Sequence, residues 1–412
     1  MKASFPDRYK QLLSLAYFFV LEEGMSAYRL RKWALTHKHP YGRDIPSQRI
    51  SDLMGSIDEA SKMNFFRRQA KRRAEKEYLA FDTTSISSYS ELIKLAKYGK
   101  NKEGDHLPQV NLALLYGEVS RLPVYFRKLT GNTADVSLIR NLMLDIDFLD
   151  MKKLSFVMGR GFYSEKNIND LMKRHHKFLI GIRCGLKIAR KHLDEIRGEK
   201  MISWENYHDD VGLYAMSFTD EWDYREEQPR TGKCICDKRR VYVHIYFNDQ
   251  RCTDERLSFA RYLTCLQDEL KSGRKTDGHM KDYDKYFIVT ETPKRGLHIV
   301  PKGDAIRERQ RDFGYFVLLT NGIKNPVEAI KLYRVRDLIR VRDLIEKAFA
   351  NLKERLDMRR MSVSSSENFE GKLFVQFLAL IYLSYIKKQM DEKGLHKKYT
   401  CLLYTSPSPR DT

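Results

Sequence analysis

Hydrophobic and polar positions change period several times along the chain, and each change marks an element or a boundary. Tyr9–Glu22 is apolar at helical spacing and Gly24 ends it. Ser26–Thr36, Ser47–Met54 and Ser56–Lys76 follow, each opening on a serine that suits an N-cap. Residues 1–76 therefore predict a helical module. From Glu77 the texture changes. Glu77–Ser87 (EYLAFDTTSIS) is a short apolar run with alternation, a strand that delivers Asp82 at its end. Gln109–Tyr116 and Leu122–Lys128 predict two further strands joined by residues 117–121. Asp135–Leu149 reads as a helix and Lys153–Met158 as a buried strand. Ser164–Arg174 is a helix with Ser164 as cap and Glu165 in its first turn, and Lys177–Ile182 is a fifth strand. Three meandering strands, then helix, strand, helix, strand, predict a mixed sheet with helices packed on it. Carboxylates at strand ends in such a sheet point into the crevice where ligands bind.

Residues 185–310 hold many charges and short strand-like runs, Gly212–Ser217, Arg240–Phe247 and Lys285–Thr290, broken by glycines and polar turns. They predict an insertion, chiefly β. Phe313–Thr320 is another strand, Asn325–Met358 a long helical region, and Glu370–Met390 a strongly apolar, core-packing helix. Within the helical region the six residues RVRDLI occur twice in tandem, at Arg334–Ile339 and Arg340–Ile345. Arg342, Glu346 and Lys353 share one helical stripe, a carboxylate between two cations. Alone, that stripe reads as a solvated helix with ordinary charge pairs.

At 412 residues the chain has room for two or three domains, and 42% hydrophobic with 12% aromatic residues supports true cores. The boundaries read as 1–76, 77–184 for the first part of a catalytic core, 185–310 for the insertion and 311–400 for core completion. Charge narrows the partners. Seventy-five Lys and Arg against 55 Asp and Glu give a formal +20 and a pI near 9.5, a field that favours a polyanion, usually nucleic acid. The basic face in Phe65–Lys76 (FFRRQAKRRAEK) suits phosphate contacts. An anionic membrane is the competitor. Against it, Leu12–Leu21 is short and runs into Glu22 and Glu23, and Leu373–Ile386 is broken by Gln376 and Ser384, short of the ~20 residues a span needs. The expectation is a soluble cytoplasmic protein with no membrane partner. Cys234 and Cys236 form a lone CxC and the other four cysteines have no matching pair, which gives neither a structural zinc pattern nor a disulfide framework. Cys401–Thr412 (CLLYTSPSPRDT) looks like the translation of a sequencing-library adapter and is set aside from fold reasoning.

Asp82 at a strand end and Glu346 on a helix far downstream suggest metal-assisted phosphoryl transfer. That reaction needs hard oxygen ligands converging on two Mg²⁺ about 3.5–4 Å apart. The runs FDTTSISSYSE (Phe81–Glu91), FVMGRGFYSEKNI (Phe156–Ile168), FGYFVLLTN (Phe313–Asn321) and the block with Arg342, Glu346 and Lys353 together resemble bacterial insertion-sequence transposases. These are the DDE class with a ribonuclease-H-like core and a Tyr-x2-Arg-x3-Glu-x6-Lys signature. The resemblance covers most of residues 10–390. It implies Mg²⁺, with Mn²⁺ as a substitute, duplex DNA at terminal inverted repeats and target as partner, a homodimer on DNA, and a nucleoid-associated bacterial location. It also implies that water and then a 3′ hydroxyl attack DNA phosphodiesters. Asp82 matches the first catalytic Asp and Glu346 the catalytic Glu, both as metal ligands. Arg342, Lys353, Tyr333 and Arg160 are the candidate DNA contacts.

Two departures go to the centre of that mechanism. The second catalytic Asp belongs at the position held by Gly159, and none of Asp145, Asp147, Asp150 or Glu165 is an evident substitute. The duplicated RVRDLI keeps Arg342, Glu346 and Lys353 in step but moves Tyr333 six residues away, a rotation of roughly 600° and ~9 Å along a helix. The expected function is therefore a transposase impaired by both changes. The alternative is a catalytically inactive DNA-binding relic or a repressor of related elements; a host nuclease on the same core is a third reading.

Overall fold

The computed structural model describes residues 1–22, 26–73, 77–87, 97–98, 108–132, 135–149, 153–227, 234–292, 296–337 and 366–395. The chain clusters into two compact units. The first contains Met1–Ile180, Tyr224–Asp237 and Leu332–Thr412, and the second Gly181–Asp223 and Lys238–Lys331.

In the first unit the sheet is built from β1 (Tyr78–Ser87), β2 (Gln109–Gly117), β3 (Pro123–Thr130), β4 (Ser155–Met158) and β5 (Lys177–Ile182), in the order β3-β2-β1-β4-β5. β1, β2 and β3 pair antiparallel, whereas β4 runs parallel to both β1 and β5. This is the ribonuclease-H-like arrangement, and it agrees with the expected mixed sheet. Parallel strands covered on both faces become continuous apolar runs: Phe156, Val157 and Met158 of β4 and Phe178, Leu179 and Ile180 of β5 are all buried. Two helices complete this region. Helix α5 (Asp135–Phe148) buries Ile139, Leu142, Met143 and Ile146, and α6 (Glu165–Lys173) buries Ile168, Leu171 and Met172.

The N-terminal helices are α1 (Tyr9–Leu21), α2 (Leu30–Ala34), α3 (Ser47–Gly55) and α4 (Glu59–Arg73). They share a core with the C-terminal helix Ser366–Glu392 and with β3. Phe66 holds the joint: its ring meets Tyr125, Phe126, Phe374 and Phe377 edge-on, at centroid distances of 5.0, 5.3, 6.1 and 5.6 Å. The expected serine caps need correction. Asp58 caps α4 by accepting from Ser61 N at 2.8 Å, while Ser56 Oγ turns back to the Leu53 carbonyl. Ser47 lies inside α3, behind Pro46, and Ser26 makes no side-chain cap bond. Helix Ser366–Glu392 is longer than its apolar run suggested and passes the length and composition test for a membrane span. Its residues Phe369, Leu373, Phe374, Val375, Phe377 and Leu380 are buried within the protein, which makes it a core helix.

The strands β11 (Tyr315–Thr320), β8 (Cys234–Phe247), β7 (Leu213–Glu227) and β6 (Tyr207–His208) follow in that order. The second unit holds them except for Tyr224–Glu227 of β7 and Cys234–Asp237 of β8, together with a separate hairpin of β9 (Phe287–Thr292) and β10 (Gly296–Pro301). β11 pairs antiparallel with β8 from Tyr315↔Phe247 to Thr320↔Tyr242. Helices α7 (Lys187–Ile196), α8 (Asp249–Ser272), α9 (Met280–Tyr286) and α10 (Gly303–Gln310) are interleaved with these strands. The 24-residue α8 is the largest departure from an insertion read as chiefly β. It buries only Cys252, Phe259, Leu266 and Leu270, a seam too narrow to stand out among its charges. Asn248 caps it at Arg251 N and Gly273, at φ 70°, ends it in the left-handed conformation. Helix α11 (Pro326–Asp337) opens the expected long helical region, capped by Asn325, whose Oδ1 accepts from Val327 N and Glu328 N.

Candidate active site

β1 forms because Leu79, Ala80 and Phe81 bury against neighbours on both sides, and its parallel register with β4 ends at Phe81↔Met158. The next residue on each strand is Asp82 and Gly159. The first expected carboxylate and the glycine at the second expected position thus lie side by side where β4 ends. β1 itself continues to Ser87, so Asp82, expected at a strand end, stands in mid-strand and pairs with Leu114 of β2. Asp82 is half-buried and its Oδ1 accepts from Thr83 N at 2.8 Å. Gly159 sits at φ −74° and ψ 165°, ordinary extended backbone that an aspartate would adopt without strain.

The segment after Gly159 is tied down. Arg160–Phe162 make one 3₁₀ turn, and the Phe162 ring packs on Phe81 at 4.9 Å. Asn167 Nδ2 donates to the Phe162 carbonyl at 2.8 Å, and Ser164 Oγ accepts from Asn167 N at 3.1 Å, the cap the sequence predicted. Arg160 is exposed at this rim. Burial, reinforced by Glu165, holds the Tyr163 hydroxyl above its usual range, so it stays a neutral donor.

The other acidic residues nearby are engaged elsewhere. Asp145 accepts from Tyr125 Oη at 2.8 Å and pairs with Arg127. Burial and that carboxylate push the Tyr125 hydroxyl well up. Asp147 pairs with Arg174 at 3.1 Å. Glu165 is exposed in the first turn of α6. Asp150 lies outside the described residues, as do Glu346, Arg342, Lys353 and the RVRDLI repeat from Leu338 onward. Tyr333 is placed on α11 with 7% exposure, a packed ring rather than a surface one.

As a metal centre the described donors fall short. Asp82 offers one carboxylate, Gly159 none, and no group of three or more His, Cys, Asp or Glu suited to a metal occurs among the described residues. Hard divalent ions in a two-metal site need several oxygen ligands in common reach, and these residues do not fit one.

Two features escaped sequence reasoning. Lys62 is buried between Glu59 at 2.5 Å and Glu370 at 2.7 Å, and Glu370 also holds Lys128; residues 308 apart in sequence leave no local signal. At the opposite end of β1 from Asp82, burial, with Glu77 adding repulsion, pushes the Glu118 carboxyl up to about 7.

Sheet order, an aspartate on the central strand and the pinned turn define the class of protein: a ribonuclease-H-like domain with its candidate site at Asp82 of β1, beside the carboxyl end of β4. The family model described as transposase DDE domain matches residues 73–382, and the chain belongs to that family of DNA-cutting enzymes. Comparison with curated proteins gives no match. Among solved structures, a cryo-EM structure of the piggyBac transposase synaptic complex with hairpin DNA is similar at a TM-score of 0.45 and 9% identity. The match covers 94% of this chain and 66% of that one.

Proposed function

We propose that this chain is an insertion-sequence transposase that binds DNA at element ends and whose Mg²⁺-dependent cleavage and strand transfer are impaired at Gly159. The observation that carries the reading is the register that sets Asp82 beside a residue with no side chain. The chain retains what the family needs to place DNA. Arg160 stands where β4 ends, and Arg68, Lys71 and Arg72 form an exposed stripe along α4, three and four positions apart. The stripe's opposite face, Phe66 and Ala70, is buried, so α4 presents its charge from a fixed base. Glu346 is assigned the third carboxylate, and Arg342 and Lys353 DNA contacts, by their place in the family signature.

The test is single-strand nicking and strand transfer on a plasmid carrying the DNA that flanks this coding sequence, with Mg²⁺ or Mn²⁺. The chain as it stands is compared with Gly159→Asp and with Asp82→Asn/Gly159→Asp. A shared metal ligand is worth several kcal/mol of transition-state stabilisation, so Gly159→Asp raises the rate by roughly 10²-fold or more and the double variant loses that gain. Equal rates for the original chain and Gly159→Asp would show that the missing carboxylate is irrelevant. The second reading, an inactive relic or repressor, is favoured by the same glycine. It predicts binding to the flanking DNA and no cleavage by either protein.

A further inference from the structure

Cys234 and Cys236 open β8. Two residues apart on an extended strand, their side chains leave on the same face. Both are exposed and reduced, and their Sγ atoms lie 3.7 Å apart. That separation is an ordinary contact between reduced thiols, and it can be compared with what a disulfide and a shared metal ion each require. A disulfide needs sulfurs ~2.05 Å apart and Cα atoms usually 4.4–6.8 Å apart with a mode near 5.5–6 Å. Alternate residues of a strand sit about 6.6 Å apart, at the far limit of that range, so bonding the thiols would pull Ile235 out of line. Two thiolates on a tetrahedral ion with Zn–S of ~2.3 Å are about 3.8 Å apart. The strand holds the sulfurs at the edge length of a zinc tetrahedron.

We propose that Cys234 and Cys236 form a bidentate thiolate clamp for a thiophilic divalent ion of the zinc class. Binding releases the two thiol protons to solvent and forms two metal–sulfur bonds, with no change of oxidation state. Among the described residues no third protein ligand joins the pair, and the two remaining positions belong, on this proposal, to water or to the thiol pair of a second copy. No other described cysteine can substitute: Cys252 is buried, burial pushes the Cys184 thiol up to about 11, and Cys265 stands alone beside Glu269. The clamp is independent of the DNA chemistry at Asp82 and needs none of its residues.

The full chain, reduced and stripped of metal, is titrated with Co²⁺ and then with Zn²⁺. The expected result is a thiolate-to-cobalt charge-transfer band that Zn²⁺ abolishes. Zn²⁺ should also protect two thiols from maleimide labelling. Cys234→Ser and Cys236→Ser each remove the band with circular dichroism unchanged, because both side chains are solvent-exposed, and Cys265→Ser keeps it. Native mass spectrometry separates the sources of the outer ligands: one ion per chain for water, one per two chains for a second copy. A band that is missing from the original chain, or that survives in Cys234→Ser/Cys236→Ser, overturns the clamp.

Discussion

The two units differ most in how they carry charge. The first holds 50 Lys and Arg against 33 Asp and Glu, while the second holds 25 against 22. Nearly all of the chain's excess of 20 positive charges therefore belongs to the unit that bears Asp82, Arg160 and α4. Pairing differs too. In the first unit Lys62, with 5% of its side chain exposed, is locked to Glu370 in the core. In the second, Lys331 and Asp210 meet with more than half of each side chain in water. The surplus of the first unit is the kind of field that favours a polyanion, in keeping with the DNA binding proposed above. The second unit is near neutrality, and it holds both exposed pairs such as Lys331–Asp210 and largely buried ones such as Arg197–Asp312.

Glu370→Gln is the sharpest way to break that contrast. It leaves Lys62 buried with Glu59 as its one remaining carboxylate, and removing a partner from a buried pair costs about 3–5 kcal/mol. Because Glu59 still reaches Lys62, the low end of that range is expected, read as a lower urea midpoint. Asp210→Asn in the second unit leaves the midpoint unchanged. A similar loss in both variants would mean that depth of burial does not separate the two units' ion pairs.

His244 gives the second unit its own signature. Its Nε2 donates to the Ile323 carbonyl at 3.0 Å, and burial, only partly offset by that bond, lowers its pKa to about 4. The folded chain keeps it neutral while the unfolded chain takes up a proton near 6.5. Stability is therefore full above pH 6.5 and falls as pH drops towards 4, by roughly 3 kcal/mol at this site. His244→Gln keeps a donor for Ile323 and should flatten that acid limb in urea titrations between pH 7 and 4.5. Parallel profiles for the two proteins would remove His244 from the account.

Reversing the α4 stripe tests where polyanion affinity resides. Arg68→Glu/Lys71→Glu/Arg72→Glu should lower the log–log salt slope of DNA binding by ~3, equivalent to roughly 40-fold between 50 and 200 mM salt. The matched reversal of Arg256, Arg274 and Lys275, all exposed in the second unit, should move the slope by less than one. Equal changes would show that the charge count of a unit does not locate the contact.

How much of this was legible in the sequence follows from burial. β4 and β5 are covered on both faces, so FVM and KFLIGI stood out, and Ser164 announced the start of α6. The outer parts of β7 and β8 were missed. Gly212–Ser217 and Arg240–Phe247 were read as strands, yet the strands run Leu213–Glu227 and Cys234–Phe247. In β8, Cys234 to Lys238 are all exposed, and a strand wet on both faces has no period to read. In β7, buried Trp222 and Tyr224 alternate with exposed Glu221, Asp223 and Arg225, a period present among dense charges. Asp82 is legible as a carboxylate on the first strand, but not its place in mid-strand, because the mostly polar run Thr83 to Ser87 that continues β1 reads as the strand's end. Its pairing with Gly159 required the register, which depends on partners 77 positions apart and leaves no mark in either strand alone.

The smallest effect lies in the first unit and runs opposite to His244. Glu118 has its carboxyl raised to about 7 by burial and by Glu77, so the fold prefers it protonated. Its contribution is fully present below pH 4.5, the unfolded value, and is lost as pH rises through 7. With partial screening by solvent, that loss is on the order of 1–2 kcal/mol. Glu118→Gln should therefore leave the urea midpoint unchanged at pH 4 and raise it at pH 8.5. The first unit would then limit stability on the alkaline side and the second, through His244, on the acid side. A Glu118→Gln profile that tracks the original chain across this range would assign the alkaline limb to other groups and leave the units alike in their response to pH.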